Sequence, residues 1–222
     1  MLRSILLKEY LKLRGSMLAA LLLNLAVVGY IYTAMRKLFL MDHAEVVWYR
    51  VMHLGTLYYD PYTYVPVLTG ALLAAAQFLP ETVSHRFRIS LHLPLSPHML
   101  VLGHILVGLS AVAAILAIDA AVIAGMTAMR FPAEVVTRTM LTILPWTLAG
   151  VTAYLGVTLV LLEPTWRLRM VNAAIGAGLT SLLLWQEAPG AYERILPLLA
   201  LGILAFVPSV LYPAYRFRYR RS

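Results

Sequence analysis

Four histidines, His85, His92, His98 and His104, fall within twenty residues, interleaved with Arg86, Phe87, Arg88, Ile89 and Leu91, and one carboxylate, Asp119, follows in the apolar run AAILAIDAAVIAG. Histidines at this density raise the question of a metal or a haem. A zinc site prefers histidine pairs on one helical turn, and His85 and His92 are seven residues apart. A haem inside a helical bundle needs ligands at matching depth on facing helices, and His104 alone of the four lies in an apolar segment. Structural or interfacial roles therefore fit these histidines better than ligation.

Asp119 is a different case. A carboxylate in an apolar span is expensive unless it faces a protein interface, a water-filled cavity or a partner base, so it is a candidate for a pathway role. The competing reading is a hydrogen-bonded acid in helix packing, which the adjacent alanines and Gly125 also suit. No cysteine is present, which excludes disulfides, thiolate metal sites and cysteine nucleophiles. An intramembrane enzyme would need acids, histidines or serines clustered at one depth, and scattered Ser and Thr around one Asp do not provide that. The phosphate-cradling GxxxxGK[ST] loop is absent, so this chain does not hold ATP in that way.

The elements that position these residues are membrane spans. Apolar residues make up 61% of the 222 positions and charged residues 13%, with a mean hydropathy of +0.80, a balance that excludes an ordinary soluble domain. Each crossing of a ~30 Å hydrocarbon core takes ~20 residues. Hydropathy predicts six spans, near 16–35, 61–80, 99–125, 140–162, 170–186 and 194–213, in an all-α, polytopic fold. The fifth is short, and Glu187, Pro189 and Gly190 interrupt it, so a re-entrant element is the alternative there. The first span runs ~20 residues without a small-residue cleavage site, which makes it a retained span, not a signal peptide.

With both termini cytoplasmic, the inner segments hold Arg3, Lys8, Lys12, Arg14, Arg86, Arg88, Arg167, Arg169, Arg216, Arg218, Arg220 and Arg221, twelve of the 18 basic residues. The other six, Arg36, Lys37, Arg50, Arg130, Arg138 and Arg194, are balanced by nearby acids, as the positive-inside rule requires. The net charge of +8 is spread over several membrane-adjacent segments, so anionic lipid headgroups, not nucleic acid, are the expected partner. Trp48, Tyr49, Tyr58, Tyr59, Tyr62 and Tyr64 crowd the first outer loop and read as an interfacial belt. Before the first span, Leu2, Leu6, Tyr10 and Leu13 share one helical arc, which predicts a cytoplasmic amphipathic helix over 1–15, followed by a transmembrane domain over 16–213 and a basic tail over 214–222.

Between spans two and three lies a basic island, QFLPETVSHRFRISLHLPLSPHMLVLGH, from Gln77 to His104. Its mixture of Arg, His, Phe and Leu suits a short amphipathic helix at the membrane surface, ended by Pro94 and Pro97. Together with the basic N-terminal helix, the short inner loops and the six-span layout, this stretch resembles the permease subunit of type II ABC exporters, the ABC-2 superfamily. Glu81, Ile89 to Leu93, Pro94, Ser96 and Gly103 stand where that family carries an acidic residue, a leucine-rich short helix, a proline, a small residue and a span-opening glycine.

The resemblance implies that about 81–98 forms a coupling helix seated in a groove of a separate ATP-binding cassette ATPase. Glu81, Arg86, Phe87, Arg88, Ile89 and Leu91 would be the docking residues, and the aromatic and arginine types among them concentrate energy at interfaces. It also implies a second permease copy or a similar permease, ATP and Mg bound by the partner ATPase with no cofactor in this chain, and a bacterial or archaeal inner membrane. The chain itself is then no enzyme. The haem-exporter-like permease of cytochrome c maturation has a similar layout, and a noncatalytic membrane scaffold is the reading from another class. The cargo is not legible, although the apolar faces suit a hydrophobic molecule.

Overall fold

The computed structural model describes residues 2–83, 97–185 and 188–219, and these residues are all-helical, without strands. In chain order the helices are α1 (Leu2–Met41), α2 (Ala44–Met52), α3 (Val65–Val83), α4 (Pro97–Ala128), α5 (Ala133–Leu162), α6 (Trp166–Leu184), α7 (Leu196–Phe206) and α8 (Leu211–Tyr219). A 3-10 turn, Asp60–Tyr62, precedes α3, and another, Val207–Val210, joins α7 to α8 where Pro208 removes a backbone donor. Five stretches are long and apolar enough to cross a membrane: Arg3–Met41, Asp60–Val83, His98–Ala128, Ala133–Leu162 and Leu196–Pro213.

Two expectations change here. The proposed fifth span corresponds to α6, a helix of 19 residues that falls short in apolarity because Arg167, Arg169, Asn172, Thr180 and Ser181 lie along it. The amphipathic helix expected over 1–15 is not a separate element, because α1 runs unbroken for 40 residues from Leu2. Its inward stripe is Glu9, Leu13, Ala20, Asn24, Val28, Ile31 and Met35, all buried and spaced by three, four or seven residues, while Tyr10 is exposed.

α5 is the central helix, packed against α3, α4, α6 and α7. Glycines set its closest approaches. A Cβ on Gly150 would lie 2.6 Å from the Pro66 carbonyl oxygen, and one on Gly70 would overlap the Gly150 carbonyl, so α3 and α5 touch backbone to backbone. Six residues on, and therefore on another face, Gly156 meets Gly176 of α6, with a Cβ 3.1 Å from its Cα. Small residues allow this approach where the lipid supplies no hydrophobic force to drive helices together. The buried apolar side chains form two clusters, one around Phe78, Leu100, Ile105, Tyr154 and Leu155, the other around Ile31, Tyr62, Ile123, Ile143 and Trp146.

The second cluster lies under the segment that joins α1 to α3 and corrects the expected aromatic belt. Trp48, Tyr49 and Tyr64 are exposed as expected, but Tyr58, Tyr59 and Tyr62 are buried. Tyr58 stacks on Phe131 at 5.2 Å, and its hydroxyl bonds that of Thr127 at 2.5 Å, while Tyr59 tilts against Trp146 at 5.8 Å. Burial pushes the Tyr59 phenol up to about 12, so it stays a neutral donor at physiological pH. Gly190, at φ +73°, turns the chain after α6, and its N–H donates to Thr142 Oγ1 at 3.0 Å.

Replacing Gly70 by Val should lower unfolding stability by about 1–3 kcal/mol through overpacking of the α3–α5 contact. Gly29→Ala, where an added Cβ meets nothing within 4 Å, should leave stability unchanged or raise it by up to ~1 kcal/mol. Thermal unfolding of the two variants in detergent checks the pair; equal stability would show that α3 and α5 are not in backbone contact.

Candidate functional site

Two groups of polar residues buried inside this apolar bundle lie at different depths, and α1 and α4 contribute to both. The first three turns of α1 carry Glu9 inward, fully buried. Lys12 Nζ donates to Glu9 Oε1 at 2.9 Å and to Glu81 Oε1 at 3.1 Å, joining α1 to the last turn of α3. Lys8 Nζ lies 3.6 Å from the same Glu81 oxygen. From α4, His104 Nε2 approaches Glu9 Oε1 at 3.5 Å, while its Nδ1 is 2.7 Å from the Leu100 carbonyl. A carbonyl oxygen only accepts, so the proton sits on Nδ1 and Nε2 is the atom turned to the carboxylate.

Gln77 ties this group to the centre. Its Nε2 donates to Glu9 Oε2 at 3.1 Å and to the His104 carbonyl at 2.8 Å, and its Oε1 accepts from the Tyr154 hydroxyl of α5 at 2.7 Å. Gly108 makes room for that last bond, since a side chain there would overlap the Tyr154 hydroxyl. Four helices thus meet on one hydrogen-bonded set of Glu9, Lys12, Gln77, Glu81, His104 and Tyr154.

Farther along the bundle, Asp119 Oδ2 accepts from Asn24 Nδ2 at 2.7 Å and from the Tyr62 hydroxyl at 3.3 Å. Thr69 Oγ1 donates to Asn24 Oδ1 at 3.0 Å, so α1, α3, α4 and the 3-10 turn converge on this acid. Asp119 is fully buried, and its Oδ1 has no hydrogen-bond partner among the described residues. The two groups share one register. Glu9 and His104 are 95 residues apart, and so are Asn24 and Asp119, so α1 and α4 run parallel with a constant offset. Within each helix the polar positions are 15 residues apart, just over four turns, which returns them to one face at ~22 Å separation.

The residues singled out from sequence divide accordingly. Glu81 belongs to the charged group and Asp119 to the second group, while Arg86, Phe87, Arg88, Ile89 and Leu91 lie outside the described residues. Glu163, which follows the last residue of α5, is buried; its Oε1 accepts from the Thr165 hydroxyl at 2.7 Å, and its Oε2 lies 3.4 Å from Arg216 Nη2. Tyr215 bonds the His98 ring at 2.6 Å, which brings the end of α8 to the start of α4. Comparison with family models, with curated proteins and with solved structures returns no match.

Glu9, Asn24, Thr69, Gln77 and Tyr154 are site residues to which sequence reasoning gave no role. A signal for two of them existed: Glu9 precedes Asn24 by the same 15 residues by which His104 precedes Asp119. Chemically, the charged group fastens α1 to both helices that flank residues 84–96, and through Gln77 to α5. It is built to hold helices together, with His104 Nε2 facing the Glu9 carboxylate.

Lys12→Met leaves Glu9 and Glu81 buried without their shared cation and should cost about 3–5 kcal/mol. Adding Glu81→Gln to that variant should recover part of the loss, and thermal unfolding of the single and double variants measures it; no loss in the single variant would dissolve the network. Around Asp119, Asn24→Leu removes the nearest donor and should cost about 1–3 kcal/mol, whereas Asp119→Asn keeps an acceptor facing Asn24 and should cost less.

Proposed function

We propose that this chain is the permease subunit of an ATP-driven exporter of the ABC-2 type, working with a second permease copy or a similar permease and with separate ATP-binding cassette subunits that bind ATP and Mg. The observation that carries the reading is the set of buried Glu9, Glu81 and His104 with the half-buried Lys12, which roots both flanks of residues 84–96 on α1. A docking segment must be fixed to the elements it moves. Here a displacement of 84–96 acts on Glu81 and His104 at once and passes to α1 through Glu9 and to α5 through Gln77 and Tyr154.

A six-span arrangement is supported by the contacts of the two chain ends. The start of α1 meets the end of α3 and the start of α4, while Tyr215 and Arg216 meet His98 and Glu163 at that same end of the bundle. Ends that share one side need an even number of crossings, which makes α6 the sixth. The basic residues Arg3, Lys8, Lys12, Arg14, Arg167, Arg169 and Arg216 gather there, so by the positive-inside rule this end is cytoplasmic, against anionic headgroups. The ATPase docks on it through Arg86, Phe87, Arg88, Ile89 and Leu91, beside Glu81. The cargo is a hydrophobic molecule, in keeping with the apolar walls of the bundle.

Gentle purification from the native membrane should retain an ATPase subunit. Phe87→Ala or Arg88→Ala should reduce ATP-driven transport by about tenfold or more, as loss of an interface anchor does, with expression unchanged. Purification of the chain without an ATPase, or full transport by both variants, would contradict this reading and favour a scaffold.

A further inference from the structure

Asp119 is the single acid, base or histidine in four stretches of the chain, 15–35, 61–80, 105–129 and 139–162. These are the middle of α1, the turn into α3 with most of that helix, and the middle of α4 and of α5, and α4 packs against the other three. α8 also meets α4, but at His98, far from Asp119 along the helix. On its own chain the nearest basic groups are His104, ~22 Å back at ~1.5 Å per residue, and Arg130, beyond the end of α4. Among the described residues Asp119 makes no ion pair. The titratable side chain that touches it is Tyr62, itself fully buried and donating to it.

The hydrogen bonds divide the two carboxyl oxygens. Both donors, Asn24 Nδ2 at 2.7 Å and the Tyr62 hydroxyl at 3.3 Å, reach Oδ2 and leave Oδ1 without a hydrogen-bond partner among the described residues. Thr69 Oγ1 donates to Asn24 Oδ1, so the amide presents its N–H to the acid. A neutral carboxyl suits this division, with Oδ2 as the carbonyl that accepts twice and Oδ1 as the hydroxyl. Its cost is one unpaired O–H. An ionised carboxylate would instead leave a whole charge in hydrocarbon with no cation beside it, which is much the more expensive arrangement.

We propose that Asp119 is a proton-binding site, which holds its proton at neutral pH while α1, the 3-10 turn and α4 are packed together and releases it when they part. An amide at this position would keep the contact with Asn24. What an acid adds is a proton that can leave. In this packing Asp119 is fully buried, so water reaches Oδ1 when Asn24 or Tyr62 withdraws, which separates α1 or the 3-10 turn from α4. Proton binding and closure of the α1–α4 seam are thus linked, and each favours the other. This inference stands whether or not the chain works with an ATPase.

The chain has three aspartates, Asp42, Asp60 and Asp119, so carboxyl-labelled aspartate gives a short carbon NMR spectrum of the full chain in lipid bilayers. The resonance that disappears in Asp119→Asn belongs to the site, and Asp42→Asn with Asp60→Asn identifies it by elimination should that variant not fold. At pH 7 it should have the chemical shift of a neutral acid, the same in sodium chloride as in choline chloride. A carboxylate shift would overturn the proposal, and one that appears in sodium chloride alone would make the site a cation site. The release step has its own readout. The folded chain binds one proton more than the unfolded chain at any pH above the ordinary aspartate value of ~3.9, so rising pH favours unfolding. Between about pH 5 and 7 the unfolding equilibrium in detergent should rise by about tenfold per pH unit relative to that of Asp119→Asn. The same pH dependence in both chains would overturn the link between release and separation.

Discussion

A polar side chain inside a hydrocarbon layer has no water to turn to, so it finds its partners on neighbouring helices. That constraint fixes the register between α1 and α4. Glu9 faces His104 and Asn24 faces Asp119 with the same offset of 95 residues, and a shift of one residue would carry both pairs off the seam together. Apolar packing alone tolerates sliding in lipid, because one leucine contact is much like another. Paired charges and amides do not, and they single out one alignment.

The rest of the bundle follows from that seam. α3 reaches it through Glu81, Gln77 and Thr69 at three depths, and its other side lies against α5 along the Gly70–Gly150 contact. α5 joins at the charged end through Tyr154 and carries α6 on a separate face through Gly156. α7 packs from outside with no buried residue of its own. α5, held by glycine contacts on two faces, is the most buried of the helices long and apolar enough to span, and α7 the least.

The apolar runs were legible in sequence because ~20 consecutive apolar residues have few other uses, and four of the predicted spans lie within apolar stretches of the structure. The fate of particular side chains was less legible. Tyr58, Tyr59 and Tyr62 carry the composition of an interfacial belt, yet the loop folds them inward over Trp146, which depends on contacts with α4 and α5 and not on local pattern. Glu9 sits among Lys8, Tyr10 and Lys12 as any basic flank would have it; its burial follows from α1 continuing without a break into the span. Asp119 stood out because it is isolated, whereas its partner Asn24, uncharged, did not.

Since the chain has no cysteine, pairs of introduced cysteines report on the α1–α4 register directly. Ala20 and Ile115, both buried, are 95 residues apart and one turn before the Asn24–Asp119 pair. In membranes under mild oxidation, cysteines at 20 and 115 should form an intramolecular disulfide, and cysteines at 22 and 115 should not, because Leu22 points outward. A cross-link from position 22 but none from position 20 would contradict the register on which the whole account rests.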